Sequence, residues 1–315
     1  MHIRPLGVGG PPVTSMGLGL AALGRPGYMT VGHADDMGDD ISVQAMRARC
    51  HQMLDHAWAA GIRYVDCARS YGRAEEFLRD WLVMRDIAPG EVTVGSKWGY
   101  IYTAGWKRRA EKHEIKVHTV DNFLSQWAES RALLKDHLSV YMIHSATLKS
   151  GVLDRTDVHD AMQAARQETG VRMGLSLSGP RQAAVLRRAL DLALFDVVQA
   201  TWNPLDPSVG EALQQAKDAG MGVIIKESVA NGRLTPRDRE LSARAAAAGW
   251  DAPLDALAIS TALAQPFCDV VLSGAATPTQ LASNLTALHA QPPQWAGWSE
   301  QPEEYWSRRG ELAWS

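Results

Sequence analysis

The chain has 315 residues, 46% hydrophobic and 21% charged, with a formal net charge of -3. That composition suits a large globular core, and barrels of the (β/α) type routinely pass ~250 residues as one domain, so a single domain over residues 1–315 is expected. So small a net charge excludes the basic footprint of a nucleic-acid binder, and no stretch reaches the ~18 apolar residues of a membrane helix. Cys50, Cys67 and Cys268 are few, scattered and odd in number, which argues against a disulfide framework and for a reducing compartment. The first residues, Met1 to Pro5, lack the apolar run of a signal peptide, so a cytoplasmic location is expected.

In chain order, residues 3–8 and 13–16 flank Gly9-Gly10-Pro11-Pro12 and read as a hairpin. Residues 16–20 read as the first barrel strand. Residues 24–40 form an irregular segment rich in Gly, Asp and Met that can overhang the face beyond that strand. Its Asp35, Asp36, Asp39 and Asp40 do not have EF-hand spacing, and a solvated loop without metal is expected. A helix over 43–60 ends at Gly61. Strand and helix then alternate. Strands are expected at 92–94, 138–144, 171–176, 197–200, 222–226 and 270–273. The helices between and after them fall at 74–85, 120–135, 157–169, 180–192, 209–219, 254–264 and 278–287. This rhythm implies a parallel sheet, and eight strands after the hairpin close a (β/α)8 barrel. A Trp-rich tail from Gln291 is expected to wrap the barrel and border its pocket.

One stretch organises the rest. Tyr64-Val65-Asp66 is a short apolar run ending in a carboxylate, and the loop behind it carries Tyr71. Functional groups of such barrels sit at the C-terminal ends of the strands, so Asp66 and Tyr71 are candidates for one site. Lys97 closes the strand before residue 98 and His144 closes the next one. Taken singly, each has an ordinary structural reading: a helix cap, a loop anchor, a solvated lysine, a satisfied histidine.

Residues Gly61 to Glu75 resemble the aldo-keto reductase pattern Gly-Ile-x-Tyr-x-Asp-x-Ala-x-x-Tyr-Gly-x-x-Glu. With Gly95-Ser96-Lys97 and Tyr141-Met142-Ile143-His144, the resemblance extends from about Ile3 to Trp314. It implies that Asp66, Tyr71, Lys97 and His144 form the catalytic tetrad of an NAD(P)H-dependent carbonyl reductase acting on a small-molecule aldehyde or ketone. A free phenol has a pKa near ~10 and is a poor acid; a neighbouring ammonium favours the phenolate. Lys97 is expected to be that neighbour, with Asp66 compensating its charge and His144 orienting the carbonyl. The same scaffold can run as a sugar or alcohol dehydrogenase, or serve as a cofactor-binding regulatory subunit like the potassium-channel β subunits. No long polar docking extension favours that last reading.

Gly7-Val8-Gly9-Gly10 precedes a turn rather than a helix and is rejected as a Rossmann fingerprint. The resemblance instead implies cofactor contacts from Gly19, Asp66, Ser176, Gln199, Lys226, Glu227, Ser228 and Val229. It adds Gly274, Ala276, Gln280 and Asn284 around a helix N-terminus suited to phosphate. Ser176 and Gln199 are expected to hold the nicotinamide amide. Leu177, Lys226 and Ala276 depart from the family's usual residues. With no strong cation or carboxylate in view, NADPH is expected over NADH by only ~10-fold, helped by the amides of Gln280 and Asn284. Trp98 and Trp106 are expected as walls of the substrate pocket.

Overall fold

A computed structural model describes residues 1–315. Twelve strands occur. β1 (Ile3–Pro5) and β2 (Pro12–Thr14) form the expected antiparallel hairpin. The barrel strands are β3 (Met16–Gly19), β4 (Tyr64–Asp66), β5 (Thr93–Trp98), β8 (Leu138–Ala146), β9 (Arg172–Leu177), β10 (Val197–Thr201), β11 (Gly222–Lys226) and β12 (Val270–Ser273). All eight pair in parallel and in that order, and β12 closes on β3 through Val271 opposite Met16 and Ser273 opposite Leu18. The protein is therefore a closed (β/α)8 barrel, as the alternation implied. No helix is long and apolar enough to cross a membrane.

Strand periodicity explains both the core and the site. Successive side chains on a strand point to opposite faces. The inward-facing residues fill the interior: Tyr64, Val140, Met142, Val197, Ile224, Val270 and Leu272 cluster with Leu6 and Val13 of the hairpin. The hairpin thus stoppers the N-terminal end. Two residues further along β4, β8, β10 and β11 stand Asp66, His144, Gln199 and Lys226, one layer above that cluster, and Lys97 joins them two residues after Gly95 of β5. Tyr64 needs small neighbours: a β-carbon on Gly95 would fall 2.3 Å from its hydroxyl, and one on Gly17 would fall 2.7 Å from its ring. The opposite faces pack on the helices in a core of 61 residues.

Three differences from the sequence reading matter. The strand expected at 92–94 runs on to Trp98, so Lys97 lies within it. The overhanging loop 98–116 contains a small antiparallel ribbon, β6 (Tyr100–Tyr102) with β7 (Glu114–Lys116). The segment 24–40 contains a one-turn helix, His33–Met37. Its Asp35, Asp39 and Asp40 are exposed as expected, but Asp36 is drawn into an ion pair with Arg237, which sequence spacing did not show. The tail carries a helix, Pro302–Gly310, whose Arg309 reaches the barrel mouth. Helix Arg239–Ala247 also escaped the sequence reading: its alanine-rich run lacks the apolar stripe that marks a packed helix.

Candidate active site

Asp66 ends β4 at a position that pairs with Gly19 on one side and Gly95 on the other. Its carboxylate forms an ion pair with the Lys97 ammonium, and both side chains are buried. Lys97 Nζ also donates to Cys67 O at 2.9 Å and to Tyr71 Oη at 3.3 Å. Its three ammonium hydrogens are therefore matched by three oxygens. The other carboxylate oxygen of Asp66 accepts from Gln199 Nε2 at 2.8 Å, and from the Tyr64 hydroxyl below at 3.4 Å. This is how a buried ion pair is made tolerable: the charges face each other and the remaining lone pairs are met by donors.

His144 completes the group. The β8–β9 register shifts between Ile143 and Ala146, and Ser145 adopts φ 56°. That bulge takes His144 and Ser145 out of the ladder before Ala146 pairs again with Leu177, as bulges beside sites commonly do. The His144 ring lies edge-on to Tyr71, 5.4 Å between centroids. Burial pushes its pKa well below the ordinary value, with the Lys97 and Arg25 charges adding to the effect. The ring is therefore neutral near pH 7. Ser70 Oγ stands 3.3 Å from Nδ1; in the tautomer in which the serine donates, the ring proton sits on Nε2 and is available to a carbonyl oxygen.

Tyr71 differs from expectation. Burial pushes its phenol well above the usual pKa, and the Asp66 carboxylate adds to this. The cation that counts most in the opposite direction is Arg25, not the lysine singled out from sequence. Before a ligand binds, Tyr71 is a protonated phenol held against an ammonium.

These groups open onto a cavity of about 410 Å³ that runs from Tyr71 and His144 to the start of helix Pro278–Leu285. Gly19, Gln199, Lys226, Glu227, Ser228, Val229, Gly274, Ala276, Gln280 and Asn284 all line it. Ser176 does not: it lies under the β8 bulge, wholly buried, and accepts from Ser145 N–H at 2.8 Å. Neither tryptophan is a pocket wall. Lys97 faces inward, so Trp98 must face outward, where it packs 5.1 Å from Phe123. Trp106 donates to Ile41 O at 2.7 Å and stands on Phe77. The aromatic walls are instead Tyr28 and Trp314.

The Aldo/keto reductase family pattern matches residues 16–294. The chain belongs to the aldo-keto reductase family. It is 25% identical to pyridoxal 4-dehydrogenase of Microbacterium luteolum, an alignment covering 96% of this chain and 95% of that one. It is also 25% identical to D-threo-aldose 1-dehydrogenase of a Pseudomonas species, with 92% and 96% covered. In structure it is similar to the holo form of the aldo-keto reductase AKR11C1 from Bacillus halodurans, with TM-score 0.73 and 20% identity over 99% of this chain and 97% of that one. As a member of the family it is an oxidoreductase.

The residues fit the dinucleotide that aldo-keto reductases use. Four buried polar atoms on residues lining the cavity have no protein partner: Arg25 Nε, Ser228 Oγ, Asn231 Oδ1 and Asp255 Oδ1. Buried polar groups are normally satisfied, so orphans along one cavity call for a polar ligand. At the far end, the helix Pro278–Leu285 has its N-cap at Thr277, beside Gly274 and Ala276. Lys226, lowered by burial to about 8, donates to Thr201 Oγ1 at 2.7 Å.

Sequence reasoning named Gln280 and Asn284 but missed the carboxylates they bind. Gln280 donates to Asp36 Oδ2 at 2.9 Å and accepts from Ala276 N at 2.8 Å. Asn284 donates to Asp255 at 2.8 Å. Each amide thus already gives an N–H to a carboxylate. Arg237 donates to the same Asp36 at 2.9 Å, so a cation and a carboxylate stand together where neither was expected. Arg25, Glu114 and Arg309 were also unseen. Nothing local marks them, although the segments that carry Arg25 and Arg309 were expected to overhang or border the pocket.

Proposed function

We propose that this chain transfers a hydride between NAD(P)H and a small carbonyl compound, reducing an aldehyde or ketone to an alcohol. The observation that carries the reading is one contact set. A buried Lys97, charge-compensated by Asp66, touches the Tyr71 hydroxyl, with a neutral His144 beside the same phenol.

A bound nicotinamide cofactor supplies the hydride. The protein's own groups do the rest. His144 Nε2–H hydrogen-bonds the carbonyl oxygen and fixes its orientation. As negative charge grows on that oxygen, Tyr71 gives up its proton to it, and the product is the alcohol. Lys97 stabilises the phenolate left behind, and water returns the proton. Ser228, Asn231 and the helix start at Thr277 hold the dinucleotide's polar parts. Of the cavity's charged residues, Arg237 would attract the 2′-phosphate of a bound NADPH and Asp36 would oppose it. Asp36 offsets most of that attraction, and the small remainder leaves NADPH preferred by only about tenfold, with NADH also accepted.

The reverse direction is the second reading. Two relatives carry dehydrogenase in their names, one for pyridoxal and one for D-threo-aldose. Turnover of 4-nitrobenzaldehyde with NADPH and with NADH tests the first reading, and forward against reverse rates on alcohols weigh the second. A protein that binds cofactor but turns over nothing would be a binding module, and the proposal would fall.

A further inference from the structure

The hydride-transfer residues leave one charged feature of the cavity unused. Arg25, in the segment after β3, meets Glu114 of β7 beside Tyr71. Arg25 Nη1 donates to Glu114 Oε2 at 2.8 Å and to Ser70 O at 3.0 Å. The guanidinium carbon stands 5.1 Å from the Tyr71 ring, 5.4 Å from Tyr28 and 4.8 Å from Trp314. The Arg25 side chain is only 3% exposed, and its Nε is buried without a partner. All of these residues line the cavity.

Unused donors on a buried guanidinium are costly unless a ligand brings acceptors. The chemistry of the pair narrows what that ligand is. Glu114 cancels the charge of Arg25, so an anionic substrate would meet as much repulsion as attraction. An apolar substrate would strip water from both charges and replace none of it. Hydroxyl groups both accept and donate, so neighbouring hydroxyls satisfy the guanidinium and the carboxylate together. The rings of Tyr28 and Trp314 offer apolar faces to the C–H side of such a molecule.

We propose that Arg25 and Glu114 are the specificity-determining pair of this site, selecting a neutral carbonyl compound with vicinal hydroxyl groups, sugar-like in character, or the corresponding alcohol. This rests on the oxidoreductase reading above. The pair adjoins Tyr71, so the hydroxyls it grips are those nearest the reacting carbon.

The test compares kcat/KM for glyceraldehyde, propanal, glyoxylate and 4-nitrobenzaldehyde with each cofactor. Glyceraldehyde should exceed propanal by about 30-fold or more, the yield of one or two charge-assisted hydrogen bonds. Glu114→Gln and Arg25→Met should each cut that ratio about tenfold or more, mainly through KM, and Arg25→Lys should restore part of it. Glu114→Gln preserves shape and carries the test if Arg25→Met fails to fold. A ratio near one, a ratio indifferent to Glu114→Gln, or faster turnover of glyoxylate than of glyceraldehyde would overturn the proposal. Turnover of 4-nitrobenzaldehyde without any preference for hydroxyls overturns this inference alone. No turnover of any carbonyl removes the hydride-transfer reading as well.

Discussion

Replacing Lys97 by Met separates the structural and chemical duties of the buried pair. Methionine fills nearly the same volume but offers no donor. Three contacts vanish: the ion pair to Asp66 and the bonds to Cys67 O and Tyr71 Oη. Asp66 keeps only Gln199 and the longer bond from Tyr64. Removing one partner of a buried ion pair costs ~3–5 kcal/mol, most of it from the stranded charge. At roughly 2 °C per kcal/mol for a chain this long, the melting temperature should fall by ~6–10 °C. Adding Asp66→Asn removes the stranded charge while leaving an acceptor for Gln199, so the double variant should regain more than half of that loss. Hydride transfer should stay lost in both, because neither offers an ammonium within hydrogen-bond reach of the Tyr71 hydroxyl, and Arg25 stands only over the ring. Thermal melts and single-turnover reduction of one aldehyde measure the two effects. If the double variant melts no higher than Lys97→Met alone, the cost is cavity or packing, and the account of a compensated charge is wrong.

Tyr71→Phe should lower reduction by ~10²–10⁴-fold while cofactor binding stays nearly constant, since only the proton donor is removed; fluorescence titration and kcat check both halves, and more than about a tenth of wild-type kcat would disqualify the tyrosine as the acid. His33 and His118 are lowered by burial to about 4. Groups depressed in the fold stabilise it above their unfolded value and lose that stabilisation as pH falls, so unfolding free energy should decline from ~6.5 down to about 4. Urea melts across this window should show a shallower decline for His118→Gln. Asp36→Asn should raise the NADPH-to-NADH ratio by ~10-fold by freeing Arg237 for the 2′-phosphate, as read from kcat/KM with one substrate. An unchanged ratio would place the ribose elsewhere. Alcohol oxidation should quicken as pH rises into the alkaline range, because burial holds Tyr71 protonated; a flat profile in stopped-flow rates would mean that the phenolate is not the base.

The barrel was legible because its signals are local. Each strand is a short apolar run and each helix ends in recognisable punctuation, such as Gly61 and Gly170. Asp66, Lys97 and His144 were legible for the same reason: they stand at or within two residues of strand ends, and the strand ends of a closed barrel converge. What could not be read was anything decided by two loops meeting. Arg25 finds Glu114 across 89 residues, and Asp36 finds Arg237 across 201. No periodicity encodes such a meeting. Trp98 was misjudged because the strand was drawn too short. Extending β5 by period 2 from Lys97 turns it outward at once.

Tyr64 gives the proposed catalytic layer a foundation that belongs to no ligand. Its hydroxyl bears on Asp66 from below, while Gly17 and Gly95 leave the only room its ring can occupy. Any side chain at either glycine would displace the tyrosine, and the displacement would pass upward into the carboxylate that holds Lys97. A random search for inactive but folded variants should therefore recover lesions on the floor of the barrel as well as at its mouth. Such alleles would look like catalytic mutants in every kinetic assay, although neither glycine comes near a substrate.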